Sequence, residues 1–217
     1  MHLEVLVEDQ SGKKMLDALV PKIIDPAHTS RVHAYKGIGR IPKGLKAKSA
    51  PERRILMDQL PRLLQGYGNA FSKYPKSYLA HVAVVCDLDD SNLQALSKQL
   101  RNILAGCKKK PATEFCFAIE EGEAWLLGDR VAVETAYPRA KKNILQSYRY
   151  DSICGTWETL ADAVYPGGSV ALKQKGWQAV GHEKSKWSET ITPHIDINRN
   201  ASPSFSDFLK RLRSLGY

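Results

Sequence analysis

Residues 2–7, HLEVLV, form a short, β-rich apolar run that ends at EDQSG, the pattern of a strand closed by a turn. Apolar positions then recur at helical spacing through Met15, Leu16, Leu19, Val20, Ile23 and Ile24, with Ser11 as the expected N-cap. Residues 31–35 alternate and predict a second strand. Residues 36–51, KGIGRIPKGLKAKSAP, are rich in Gly, Lys and Pro and predict a loop. Helical periodicity returns over 52–67 through Ile55, Leu56, Leu60, Leu63 and Leu64, with Pro61 expected to kink or end it. Residues 80–86, AHVAVVC, are an unbroken apolar run, as in a strand buried on both faces of a parallel sheet.

A helix is expected from about Leu93 to Ala105, a strand over about 114–120, and a helical turn in EGEAWLLGD. The order β-α-β-α-β-α-β-α predicts an α/β fold with a central, mostly parallel sheet flanked by helices. Beyond Asp129 the pattern weakens. It predicts short helices within 131–142 and around WETLADAVY, a helix begun near His182 or Glu183, and a last helix begun near Ser202 or Ser204. That helix carries a stripe of Phe205, Phe208, Leu209, Leu212 and Leu215. The division is a core over 1–130 and a mainly helical extension over 131–217 packed on it, in one domain of 217 residues.

Composition changes this picture in two ways. No apolar run is long enough to cross a bilayer, and the opening MHLEVLVED lacks the basic start and apolar stretch of a signal peptide, so a cytoplasmic protein without membrane contact is expected. Cys86, Cys107, Cys116 and Cys154 show no CxxC spacing and are expected as reduced thiols outside the chemistry. The second change is charge. Lys and Arg total 32 against 23 Asp and Glu, a net charge of +9, which favours polyanions such as nucleic acid. The basic residues bunch at Arg31 to Arg54, Lys108 to Lys110, Arg139 to Lys142, and Lys210, Arg211 and Arg213.

Candidate chemistry lies at two strand ends. Glu8 closes the first strand, and Asp87 with Asp89 follows the strongest one, in VVCDLDD. Carboxyl ends of parallel strands line the ligand crevice. Carboxylates gathered there repel unless a cation neutralises them, and an all-oxygen donor set suits Mg²⁺ or Mn²⁺. In an extended Asp-Leu-Asp segment both aspartates face one side. Asp90 and Ser91 are expected to cap the following helix. The six histidines show no HxxxH spacing, no GxSxG elbow occurs, and no Walker A loop marks a nucleotide triphosphate site.

VEDQSG and VVCDLDD resemble the two metal motifs of the TOPRIM fold of topoisomerases, primases and OLD-type nucleases, with Glu8, Asp87 and Asp89 matching in position. The KGIGRIPKG loop, FAIEEGEAWLLGD at 117–129 and GHEKSKWSETITPHIDINRNASPSFSDFLKRL at 181–212 resemble a bacterial domain-of-unknown-function family of the 4276 type within that group. Topoisomerase-type members usually have Gly where this chain has Asp9. The resemblance implies a TOPRIM-like, Rossmann-like core. For an OLD-type site it implies a further glutamate and a lysine beside two metal ions. Glu120, Glu121 and Glu123 are the candidates for the glutamate, with Glu123 preferred and Glu120 next; if this turn is helical, Glu121 and Glu123 cannot both face the site, because positions i and i+2 diverge. Lys186 is preferred for the lysine. Lys36, Arg40 and Lys43 of the basic loop, with Lys184, are the expected phosphate contacts. Trp125 is expected in the core.

The function so implied is a metal-dependent phosphodiesterase, a nuclease on DNA or RNA, with Mg²⁺ or Mn²⁺ on Glu8, Asp87, Asp89 and a later glutamate. The resemblance also points to bacterial antiviral defence beside an ATPase partner. The alternative is a non-catalytic, regulatory subunit that binds such an ATPase. Nucleotidyl transfer would use the same acids but needs an NTP loop that the chain lacks.

Overall fold

The computed structural model describes residues 1–36, 55–152 and 155–215, with Lys36 and Ile55 described for backbone only. The chain runs β1 (His2–Asp9), α1 (Gln10–Ile23), β2 (Thr29–Lys36), α2 (Ile55–Phe71), β3 (Ala80–Asp87), α3 (Leu93–Ala105) and β4 (Ala112–Ala118). Among the described residues the four strands form one sheet in the order β2-β1-β3-β4, and every pairing is parallel. The expected strand–helix alternation is therefore present, and the apolar runs at 2–7 and 80–86 lie side by side at its centre.

Alternation along the strands sorts the apolar side chains into two cores. Leu3, Val5, Val7, Ala83 and Val85 pack toward α1 and the later helices. Leu6, Val82, Val84 and Cys86 pack toward α2 and α3. The chain leaves β1 to one side for β2 and crosses back to the other side for β3. That reversal makes the carboxyl ends of β1 and β3 the crevice of the sheet.

The rest is helical: α4 (Glu123–Leu127), α5 (Arg130–Ala136), α6 (Lys142–Ser147), α7 (Thr156–Val164), α8 (Gly168–Gln174), α9 (Trp177–Ile191) and α10 (Pro203–Ser214). These helices share the α1-side core with the strands through Trp157, Leu160, Leu172, Trp187, Ile191 and Phe205. Trp125 is fully buried, stacks on Phe208 at 4.7 Å between centroids and donates from Nε1 to Ser204 Oγ, as the core expectation has it. Asp129, also buried, accepts two bonds from Arg199 at 2.9 and 2.8 Å and one from the Asp196 N–H. This fastens the segment before α10 onto the start of α5.

Several local expectations are corrected. Asp9, not Ser11, caps α1, accepting from the Gly12 N–H at 2.8 Å; Ser11 Oγ itself donates to Asp9. Asn92, not Asp90 or Ser91, caps α3. α2 runs through Pro61 to Phe71. Pro61 sits on the exposed side of α2 while Leu60 and Leu64 are fully buried, so the ring falls where water can serve the orphaned carbonyl. The short helix expected within 131–142 is α5, and α6 begins at Lys142. α8, for which the sequence pattern made no prediction, opens at Gly168 behind Gly167, both left-handed at φ 70° and 82°. α9 begins at Trp177, ahead of the expected His182 or Glu183, because Gly176 at φ 86° turns the chain into it without a side-chain cap. Cys86, Cys107 and Cys116 are buried; Cys154 lies outside the described residues.

Candidate metal centre

β1 and β3 pair Val7 with Val85, both in the α1-side core. Side chains on paired parallel strands share a face, so the same parity carries Asp9 and Asp87 to the α1 side and assigns Glu8 to the side of Cys86. Glu8 is 8% exposed and still borders the crevice from the end of its strand. Glu8, Asp9, Asp87 and Glu123 line one cavity there of about 10 Å³, which is roughly the room of one water. Gly12 lets α1 start this close to the sheet: a Cβ there would stand 2.7 Å from Val7 Cγ2.

Glu123 opens α4, all five of whose residues are buried, and is itself only 3% exposed. Its counter-ion is Lys184, which reaches in from α9 at 3.1 Å. Glu121 also pairs with Lys184, through a short bond. The helical condition that would part Glu121 from Glu123 does not hold: α4 starts at Glu123 and residues 119–122 are bend and turn, so both reach Lys184. The lysine that meets the acids is Lys184. Lys186, two positions on and therefore on another side of α9, is exposed and borders a separate pocket with Tyr137, Tyr165 and Lys175.

The electrostatics are those of a site with too much negative charge. Burial, then Asp9 and Glu8, hold the Asp87 carboxyl well above the usual carboxylate range; Lys184 pulls it down and Glu123 up. Burial pushes Glu121 up to about 7, against the pull of Lys184. Glu123 is likewise raised by burial, partly offset by Lys184. For Lys184, burial lowers the pKa, but Glu123, Glu121, Asp87 and Asp9 outweigh it and keep the ammonium charged well above its ordinary value.

A family model matches residues 7–213. The chain belongs to that family, Domain of unknown function (DUF4276). Comparison with curated proteins and with solved structures returns no match. The span matched to DUF4276 includes every residue of the acidic cluster and its lysine.

Other expected site residues stand elsewhere in this DUF4276 chain. Asp89 does not continue an extended strand: it is exposed, has φ 48°, and lies in the turn that leaves β3. Its N–H donates to the Glu120 carbonyl. Glu120 lies beyond β4, which ends at Ala118, and its carboxylate accepts from the Gly155 and Thr156 N–H groups at 2.9 and 2.7 Å and from Thr156 Oγ1. It thus caps the start of α7. The Lys36 side chain, Arg40 and Lys43 lie outside the described residues. Asp9, the departure from the topoisomerase-type pattern, and Glu121, one of the candidate acids after β4, both stand in the cluster.

The donor chemistry of the cavity fits a small hard cation: oxygens only, buried, and short of positive charge. Among the described residues no three His, Cys, Asp or Glu side chains are disposed as a ready ligand set, and the Lys184 ammonium is the cation that faces the acids. Among the described residues no helix is long and apolar enough to cross a membrane.

Proposed function

We propose that this chain is a metal-dependent phosphodiesterase, a nuclease acting on DNA or RNA, with Mg²⁺ or Mn²⁺ held by Asp87 and Glu123 and by Glu8 from the neighbouring strand end. The observation that carries the reading is the buried carboxylate cluster at the crevice between β1 and β3, with Asp87 held well above the usual carboxylate range by burial and by Asp9 and Glu8. Carboxylates so placed are costly without a cation. A bound divalent ion supplies charge neutralisation of a phosphate and activation of water. Lys184 is positioned to steady the charge of the cluster and of a phosphate brought to it. A TOPRIM-like reading of the sheet and a place in antiviral defence belong to the same proposal.

The test is cleavage of plasmid, single-stranded DNA and tRNA by purified protein with Mg²⁺ or Mn²⁺. Asp87→Ala is expected to abolish cleavage and Asp89→Ala, outside the cavity lining, to leave most of it. Intact substrates with both metals overturn the reading.

One observation favours a second reading. Lys184 already neutralises Glu121 and Glu123, so the cluster can stand as an internal ion-pair network. The chain would then be a regulatory subunit that binds an ATPase. Absence of cleavage together with a stable complex with a purified ATPase encoded beside it would support this second reading.

A further inference from the structure

Two stretches that cover one face of the sheet contain no acid at all. Residues 59–86 and 91–113 hold α2 beyond Asp58, most of β3, α3 and the turn before β4. Eight of the chain's 32 Lys and Arg lie there, with none of its 23 Asp and Glu. Arg62, Lys73 and Lys76 on the first stretch are exposed, and so are Lys98, Arg101 and Lys108 to Lys110 on the second. α2 and α3 pack on the same core, so these charges share one side of the molecule.

The same side carries a row of rings. Tyr67, Phe71, Tyr74 and Tyr78 follow one another at centroid distances of 5.4, 5.6 and 5.2 Å, the row running outward from Tyr67, which is hydrogen-bonded to Glu4, to the lysines. Tyr74 and Tyr78 are 42% and 48% exposed, large aromatic areas left to water. The lysine turn is clasped beside this row. The Lys108 N–H donates to Gln65, Lys109 Nζ donates to Ser72 Oγ, and Gly68 admits the Lys109 carbonyl where a Cβ would stand 1.8 Å from it. Gln65 and Gly68, with Ser72 just past the end of α2, make one stripe, and Tyr67 and Phe71 the adjoining one.

We infer that this basic patch, the Tyr74–Tyr78 rings beside the Lys108–Lys110 turn, is a docking surface for single-stranded nucleic acid. Lysines spaced along a surface neutralise successive phosphates, and exposed rings stack unpaired bases irrespective of sequence. A duplex hides its bases and offers the rings nothing. The surface lies at the amino-terminal end of β3, about 23 Å along that eight-residue strand from Asp87. It is thus distinct from the acidic crevice, and the inference stands whether or not that crevice cuts anything.

The test is fluorescence anisotropy of a labelled oligothymidylate of about 20 nucleotides in chelator, so that cleavage plays no part. Wild type is expected to bind the single strand at least tenfold tighter than a duplex of equal length. Tyr74→Ala with Tyr78→Ala should weaken binding about tenfold or more. Replacing Lys108, Lys109 and Lys110 by Gln should weaken it and reduce the slope of log affinity against log salt by about 2. All five positions are exposed, and unchanged far-ultraviolet circular dichroism would verify folding. Equal binding of duplex, an affinity indifferent to both sets of substitutions, or tighter binding to anionic vesicles than to the oligonucleotide would overturn the inference.

Discussion

Lys184 is the side chain on which the acidic cluster turns. It is 15% exposed and faces Glu121 and Glu123 directly, with Asp87 and Asp9 within electrostatic reach. Removing one partner of a buried network leaves the others uncompensated, which costs about 3 kcal/mol or more. Lys184→Gln should therefore lower the unfolding midpoint in urea, and millimolar Mg²⁺ should recover more of the loss than it adds to wild type. Glu121 gives a pH signature. Its folded pKa of about 7 lies above the ordinary 4.5, so its contribution to stability is whole below about pH 4.5 and is lost as pH rises through about 7. Thermal unfolding in chelator should show wild type declining over that window and Glu121→Gln declining less. The strand runs made the meeting of Glu8 and Asp87 legible, since both lie where apolar runs stop. What lay beyond the sequence was phase. The side of α9 that meets the acids, and the bend that turns Glu121 toward Glu123, are set by packing between residues about 60 positions apart.

Among elements, the junctions after the strands decide most. Glu120 reads as a spare ligand because it follows a strand, but β4 ends at Ala118 and the residue turns left-handed at φ 62° to cap α7. Glu120→Ala should cost about 1–2 kcal/mol of stability, the usual worth of a cap. Isothermal titration with Mn²⁺ should show no change in any metal affinity, whereas Asp87→Asn should reduce it. The element order through β4 could be read from periodicity alone, because β1 and β3 are near-continuous apolar runs, β2 alternates, and α1 keeps a regular buried stripe. Caps were harder. Asp9 and Asn92 each stand within two residues of another capping type, and only the backbone turn selects between them. α8 was hidden by the Pro-Gly-Gly at its start.

Over the whole molecule, strands and later helices share the α1-side core, and three of the four tryptophans, Trp125, Trp157 and Trp187, are buried in it from α4, α7 and α9. Unfolding should therefore be one transition. Tryptophan fluorescence, which reports the helical half, and far-ultraviolet circular dichroism should give coincident urea curves; separated midpoints would mean that 130–215 unfolds by itself. This unity was only partly legible, since nothing in the sequence says that Arg199 would clamp Asp129 across 70 positions. The basic face has a consequence of its own. Its eight positive charges, from two stretches without an Asp or Glu, make the α2–α3 side a positive pole among the described residues. On a negatively charged chromatographic matrix it should adsorb in one orientation, α2 and α3 against the beads and the mouth between β1 and β3 turned to the passing solvent.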